Sequence, residues 1–565
     1  MATTQAAATG DGDQQITEYD AVIVGAGFSG LGMLHALRGL GLNCRVYDLG
    51  EDVGGTWYWN RYPGARTDSE CYYYCFTFSE DLLQDWEWSE RYPGQPEMER
   101  YLNHVADRFD LRRDIQFGTR ITSAQYDEAA NRWLVHTDRA ETVRAQYLIS
   151  GMGIISEPYT PKIPGLETFA GEIHHTARWP VAGVDVQGKR VGILGAGASA
   201  IQLLPEVAEA AAQVTLFQRT PNYIIPGNNR TMTSAEQDRI KQRYPEILQA
   251  CQEHMFAMPF DGPAGEVATA ASPQERNAVY ERLWQQGGFR FFFETYGDLL
   301  SSDESNETAA EFLRDKIREI VDDPETAEAL VPRTYPLFAK RPPNDHGYYE
   351  TFNRDNVQLV DIANREPLET VTATGIRTSG GEYEFDLLVL ATGFDAVTGA
   401  LENVDIRGRG GLSLKDKWHE RLRTLFGVGC HDFPNLFMIN GPQSPFANIP
   451  TMIESNIAWI RDCIAHMQEH GYARAEATAA AEDAWAVHTN EVIEYTVARQ
   501  GAKGNAWFMG ANIAGRQPQP LVYFGGGDAY MQQLNQSRQN GFEGVTFAAD
   551  EAAPGARQGR TAHAP

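Results

Sequence analysis

The chain has 565 residues, with 48 Lys and Arg against 76 Asp and Glu, a formal net charge of −28. At roughly 150 residues per domain this length predicts about three or four domain-sized units, and a hydrophobic fraction of 42% is ample for large cores. The acidic balance argues against nucleic acid and anionic membranes as partners, because phosphate binding is driven by clustered Lys and Arg, and six scattered cysteines are too few for a disulfide scaffold.

Residues 1–18 and 548–565 are rich in small and polar residues and are expected to form mobile tails. The first contains Asp11 and Asp13, and no Lys or Arg precedes Arg38, so a secretory signal is not expected. Ala21 to Leu34 is apolar, but it is interrupted by glycines and too short to span a bilayer. A cytoplasmic protein is expected, monomeric or weakly self-associating.

Asp20–Val24 reads as a strand entering a glycine turn, followed by a helix to Leu40 and a strand at Cys44–Tyr47. Arg190–Leu194 begins the same sequence of elements, with a helix to Ala212 and a strand at Gln213–Phe217. Each is a βαβ unit, so the fold predicted is α/β with two Rossmann-like dinucleotide-binding domains. Residues 225–332 read as a helical insertion in the second, with an aromatic patch at Phe289–Phe293 and two amphipathic helices over Ser305–Ala329, broken at Pro324. A strand is predicted over Glu384–Leu390, and helices near Thr451–His470 and Ala479–Arg499. The first domain is expected from 19–150 and 388–547, the second from 151–224 and 333–387.

The chemistry is concentrated at the glycine turns. Gly25-Ala26-Gly27-Phe28-Ser29-Gly30 is a complete GxGxxG: the first Gly makes the turn, the second admits a pyrophosphate, and the third lets helix and strand pack. Asp48 ends the next strand, where a carboxylate binds an unphosphorylated ribose, as in FAD. In Gly195-Ala196-Gly197-Ala198-Ser199-Ala200, Ala200 replaces the third Gly, and the next strand ends in Arg219-Thr220. A guanidinium there suits a 2′-phosphate, which favours NADPH over NADH. No Ser/His/Asp set and no metal-ligand spacing stands out; Cys71 and Cys75 read as buried thiols.

With these sites in place, a longer pattern becomes specific. Phe169, Gly171, His175, Trp179 and Pro180 fit every fixed position of F-x-G-x-x-x-H-x-x-x-W-P, and Gly54-Gly55-Thr56-Trp57 through Tyr62-Pro63-Gly64 to Asp68 fits GGxWxxxx(F/Y)PGxxxD. The chain thereby resembles the Baeyer–Villiger monooxygenases, over essentially residues 18–547, departing mildly at Asp48 and Ala200 from the usual Glu and Gly. The resemblance implies FAD and NADPH as cofactors, O2 and a ketone as co-substrates, and a flavin C4a-peroxide that attacks the carbonyl to give an ester or lactone. It implies that Arg341 is the catalytic cation, that Asp68 orients it, and that Gly55, Thr56 and Trp57 contact cofactor. Lys340 would join Arg219 and Thr220 at the 2′-phosphate, and Trp507 would meet the nicotinamide-side sugar on a mobile loop with Gly501, Gly504 and Gly510. His175 and Trp179 would couple domain movement to NADPH, or simply pack in the linker; Asp68 would otherwise cap a turn. Substrate-lining loops are expected to include Gly441–Phe446 and Asn448. An N- or S-oxygenating flavin monooxygenase, and a non-oxygenating NADPH oxidase or redox sensor, are the alternative activities.

Overall fold

In the computed structural model, which describes residues 16–549, strand Thr17–Val24 lies inside an eight-stranded sheet. Its parallel neighbours are Cys44–Tyr47 and Thr142–Ser150. Ala21, Val22 and Ile23 are wholly buried, as expected of a parallel strand covered on both faces. The antiparallel strands Ile121–Asp127 and Arg132–Thr137 extend the sheet, and Asp405–Arg407 and Leu436–Met438 join it from the C-terminal half. The first unit is therefore built from both ends of the chain. Helix Phe28–Gly39 packs on the long helix Ile449–His470, Gly32 leaving room for Ile457.

The second unit is a five-stranded parallel sheet in the order Val357–Asp361, Gln213–Gln218, Arg190–Leu194, Leu387–Leu390 and Glu172–His175. Helix Ala198–Ala210 crosses over it, with Ile201, Leu203, Leu204 and Val207 buried against the strands.

Four sequence expectations change in detail. The division at 387/388 falls inside a strand: Leu387–Leu390 pairs with Arg190–Leu194 and with Glu172–His175, so it belongs wholly to the second sheet. The strand expected over Glu384–Leu390 is two, Gly381–Glu384 in a three-stranded antiparallel sheet and Leu387–Leu390 in the parallel one. The tails are shorter at both inner ends, because residues from Thr17 and up to Ala549 are paired in strands; the rest of both tails lies outside the described residues. The last long helix stops at Glu494, followed by the 3₁₀ segment Val497–Gly504.

The inserted segment is helical, with Pro273–Gln286, Asp303–Ile320 and Pro324–Leu330 among its helices. The break before Pro324 has a cause. Proline suits the first turn of a helix, and the Asp323 side chain caps it by accepting from Thr326 N. No helix among the described residues is long and apolar enough to cross a membrane.

Candidate active site

The first glycine turn leads into helix Phe28–Gly39, whose N-cap, Gly27, offers no side-chain cap. The first-turn N–H groups thus remain available to an anion, reinforced by the helix dipole. Asp48 is buried and holds the turn: Oδ2 accepts from Ala26 N at 2.6 Å and Oδ1 from Gly50 N at 2.6 Å. Burial pushes its carboxyl above the ordinary range. Each oxygen keeps a second lone pair, so ribose binding and bracing of the loop are compatible. Gly55 packs against Gly27, and Thr56 and Trp57 carry this cradle into the main cavity.

At the second turn, Gly197 likewise precedes a helix without a side-chain cap, and a Cβ built on Gly197 would meet nothing within 4 Å. Ala200 faces the core and is fully buried, its methyl accommodated where the fingerprint more usually has glycine. Arg219, Thr220 and Lys340 all line the cavity, and among the described residues neither cation forms an ion pair. Two cations left unpaired in so acidic a chain form a place for a dianion. Burial, with Arg219 alongside, depresses the Lys340 ammonium to about 7.

Two outcomes follow from that geometry. Arg219→Ala is expected to raise the NADPH KM about tenfold or more while leaving the NADH KM nearly unchanged, the loss of one charge-assisted contact; steady-state kinetics with both nucleotides checks it. Because the depressed Lys340 is charged below about 7 and neutral above it, the NADPH KM should rise as pH climbs from 7 to 9. NADH should show no such rise, and Lys340→Met should abolish it.

The second glycine turn lines a cavity of about 620 Å³, which Thr56 and Trp57 also reach, whereas Gly25, Gly27, Gly30, Asp48 and Gly55 stay outside its wall. Arg341 stands in its wall, with Nη2 donating to Asp68 Oδ2 at 2.5 Å and its guanidinium 5.5 Å from the centre of the Phe289 ring. Asp68 is held in turn by Asn344, whose backbone N–H reaches Oδ1 at 3.3 Å and whose Nδ2 reaches the Asp68 carbonyl at 3.1 Å. The side chain of Asp68 is 6% exposed, so it serves as an ion-pair partner and not as a solvated turn cap. The pair spans the units: Asp68 comes from the first, Arg341 from the segment following the helical insertion, and Phe289 from the insertion itself.

The loop between Trp57 and Asp68 is fastened to the second unit. Tyr62 Oη donates to Gln202 Oε1 at 2.8 Å, and Gln202 Nε2 donates to the Arg66 carbonyl at 3.1 Å. A Cβ on Gly64 would lie 2.1 Å from the Gln202 carbonyl, so Pro63-Gly64 is a contact surface for the second glycine-turn helix. Sequence reasoning missed Gln202, Asn344 and Phe289; the only signal was the aromatic run containing Phe289.

Phe169, Gly171, His175, Trp179 and Pro180 stay outside the cavity wall. His175 Nδ1 accepts from Ala177 N at 3.0 Å, which places the ring hydrogen on Nε2, facing the Tyr159 carbonyl at 3.3 Å and Thr392 Oγ1 at 3.2 Å. Burial lowers its pKa, favouring this neutral, linker-fastening form. Trp179 packs in the core of the second unit. Trp507 does line the cavity, its ring 5.8 Å from Phe446. Its loop is tied down by Asn505 to Thr220 at 3.1 Å and by paired contacts of Arg516 with Asp395 at 2.6 and 2.9 Å. Gly501 is a packing position and not a free hinge, since a Cβ there would press on Phe508 and the Ala339 carbonyl. Of the expected substrate loop, Gly441, Ser444, Pro445, Phe446 and Asn448 line the cavity, whereas Pro442 and Gln443 lie behind it. Cys71 and Cys75 are buried free thiols.

Two uncapped glycine-turn helices, one cavity and a carboxylate-held arginine define a two-dinucleotide oxidoreductase. Residues 22–275 match the family described as pyridine nucleotide-disulphide oxidoreductase. A Baeyer–Villiger monooxygenase of Pseudooceanicola batsensis is 43% identical, covering 93% of this chain and 95% of its own length. A phenazine N-monooxygenase of Lysobacter antibioticus is 40% identical over 95% of this chain and 98% of its own. Among solved structures, cyclohexanone monooxygenase from Rhodococcus sp. Phi1 bound to NADP+ superimposes with a TM-score of 0.92 at 42% identity, covering 95% and 100% of the two chains. The chain belongs to the Baeyer–Villiger monooxygenase family.

Proposed function

We propose that this enzyme inserts one atom of O2 beside the carbonyl of an apolar ketone to give an ester or lactone, using FAD and NADPH. The observation that carries the reading is Arg341, fixed by Asp68 in the wall of a cavity that the second glycine turn, Thr56, Trp57 and a cluster of aromatic rings share. When bound, FAD supplies the oxygen-activating centre and NADPH the hydride that reduces it. Asp48 and the first glycine turn hold the flavin nucleotide, and Gly197, Arg219, Thr220 and Lys340 hold the phosphates of the second. Arg341 stabilises negative charge at the reacting oxygen without surrendering a proton, since a guanidinium stays protonated throughout. Such a contact at about 4 Å is worth roughly 4 kcal/mol at an effective dielectric of about 20. Asp68 and Phe289 fix the plane in which that charge acts. Phe256, Met258, Phe293, Phe338 and Phe446 keep water away and favour an apolar substrate.

N-oxygenation is the reading to be separated, given the 40% identical phenazine N-monooxygenase. The FAD-loaded protein is incubated with NADPH, O2 and matched ketones, thioethers and aza-arenes, and products are identified by mass and fragmentation. Ester or lactone from the ketones is the expected result. N-oxide or sulfoxide with the ketones untouched would overturn the proposal.

A further inference from the structure

Phe289 meets the Arg341 guanidinium from the helical insertion, yet its own backbone supplies little to hold it there. Gly287 and Gly288 precede it with φ of 74° and 72°, and two successive glycines leave the chain free to adopt other conformations. The helix that follows, Arg290–Phe293, is a single turn without a side-chain cap. Phe289 is therefore placed by whatever grips this segment from outside.

The grip comes from residues 70–92 of the first unit. Glu70, two residues beyond Asp68, has Oε1 at 3.0 Å from Arg91 Nη2 and 3.5 Å from Arg290 Nε. Arg290 Nη1 completes the set by donating to Glu294 Oε1 at 2.5 Å. Arg91 also donates through Nη1 to the Gln286 carbonyl at 3.0 Å, just before the two glycines. A Cβ on Gly288 would lie 2.1 Å from Tyr92 Oη, so Tyr92 closes on the bend itself. All four charged side chains are largely buried, and two carboxylates balance two guanidiniums. Such a buried set gains little stability over apolar side chains of the same volume. What it supplies is direction, because guanidinium–carboxylate pairs hold only in narrow geometries.

We propose that Glu70 is a positioning residue for oxygen transfer: by pairing with Arg290 and Arg91 it holds Phe289 against Arg341. This rests on the ketone-oxygenating reading above. One short stretch of the first unit, Asp68–Glu70, then governs Arg341 twice, once by direct contact and once through the insertion.

The test uses the FAD-loaded enzyme and the ketone that wild type oxygenates fastest, and compares wild type with Glu70→Gln, Phe289→Leu and the double variant. Glu70→Gln keeps the side-chain shape and removes the charge. Ester formed per NADPH consumed should fall about fivefold, since small displacements of a preorganised group cost up to about a hundredfold, while the NADPH KM and the rate of flavin reduction stay within about twofold. Phe289→Leu should show a similar loss, and the double variant no more than the larger single loss, because both act through one contact. A purely structural pair would lower the melting temperature without moving the ester-to-NADPH ratio, and that outcome overturns the proposal. Flavin reduction falling in parallel overturns it as well. Losses that multiply in the double variant do the same, since Glu70 would then act by a route other than Phe289. Should Glu70→Gln fail to hold flavin, Arg290→Lys decides. It preserves the charge balance, but its ammonium lacks the fork that spans Glu70 and Glu294, so about a threefold loss of ester per NADPH is expected. An unchanged ratio there rejects the positioning role. If wild type oxygenates no ketone, the reading of the reaction fails and the positioning role with it.

Discussion

Arg341→Ala is expected to lower ester formation by about 10²- to 10³-fold, the range seen when one preorganised charge-stabilising donor is removed. NADPH oxidation should continue, with hydrogen peroxide replacing ester as the product. Nothing in the second glycine turn, Arg219 or Thr220 depends on the Arg341 side chain, so the rate of flavin reduction should change little. Asp68→Ala should produce a smaller version of the same uncoupling, because the cation remains but loses the carboxylate and the Asn344-braced platform that hold it. Stopped-flow reduction beside product quantification separates the steps. Parallel loss of flavin reduction and ester formation would place Arg341 in hydride transfer instead.

The second large effect concerns the first glycine turn. A Cβ on Gly30 would lie 1.7 Å from the Gly25 carbonyl oxygen, and both atoms belong to the closely packed strand–turn–helix unit, so no flexible side chain can yield. Gly30→Ala must therefore lift helix Phe28–Gly39 from the sheet, at a cost of at least about 3 kcal/mol. The expected result is protein that is insoluble or purifies without bound flavin, measured by absorbance and thermal melting. Gly39→Ala is the matched control at the end of the same helix, where an added Cβ meets nothing within 4 Å; it should retain flavin and melt no lower than wild type.

Both glycine turns were legible because backbone geometry demands particular residues at fixed spacing, and local sequence records such demands. The strands Cys44–Tyr47 and Arg190–Leu194 were readable at their observed limits for a related reason: each is a short apolar run bounded by turn residues. The position of Leu387–Leu390 was not readable. Four apolar residues can complete either sheet, and only pairing with Arg190–Leu194 and Glu172–His175 decides which. At the site, Arg341 and Asp68 came from family resemblance, since nothing local joins residues so distant in the chain. Asn344 and Gln202 left no trace, because a single polar side chain gains its meaning from a partner brought close by folding. Lys340 was visible as a cation, whereas its lowered affinity for a proton depends on burial and on Arg219.

The large negative charge also takes a definite meaning. Anionic cofactors do not need a basic protein; they need the few local cations that the acidic side chains leave unpaired, and Arg219 and Lys340 meet that condition on the cavity wall. The central claim is that the enzyme transfers one oxygen atom from O2 into a ketone. The most direct measurement supplies isotope-labelled O2, NADPH and a cyclic ketone to the FAD-loaded protein and locates the label in the product by mass fragmentation. A lactone carrying a single labelled atom as its ring oxygen, formed in step with NADPH consumption, is the predicted result. Unchanged ketone together with labelled hydrogen peroxide would contradict it.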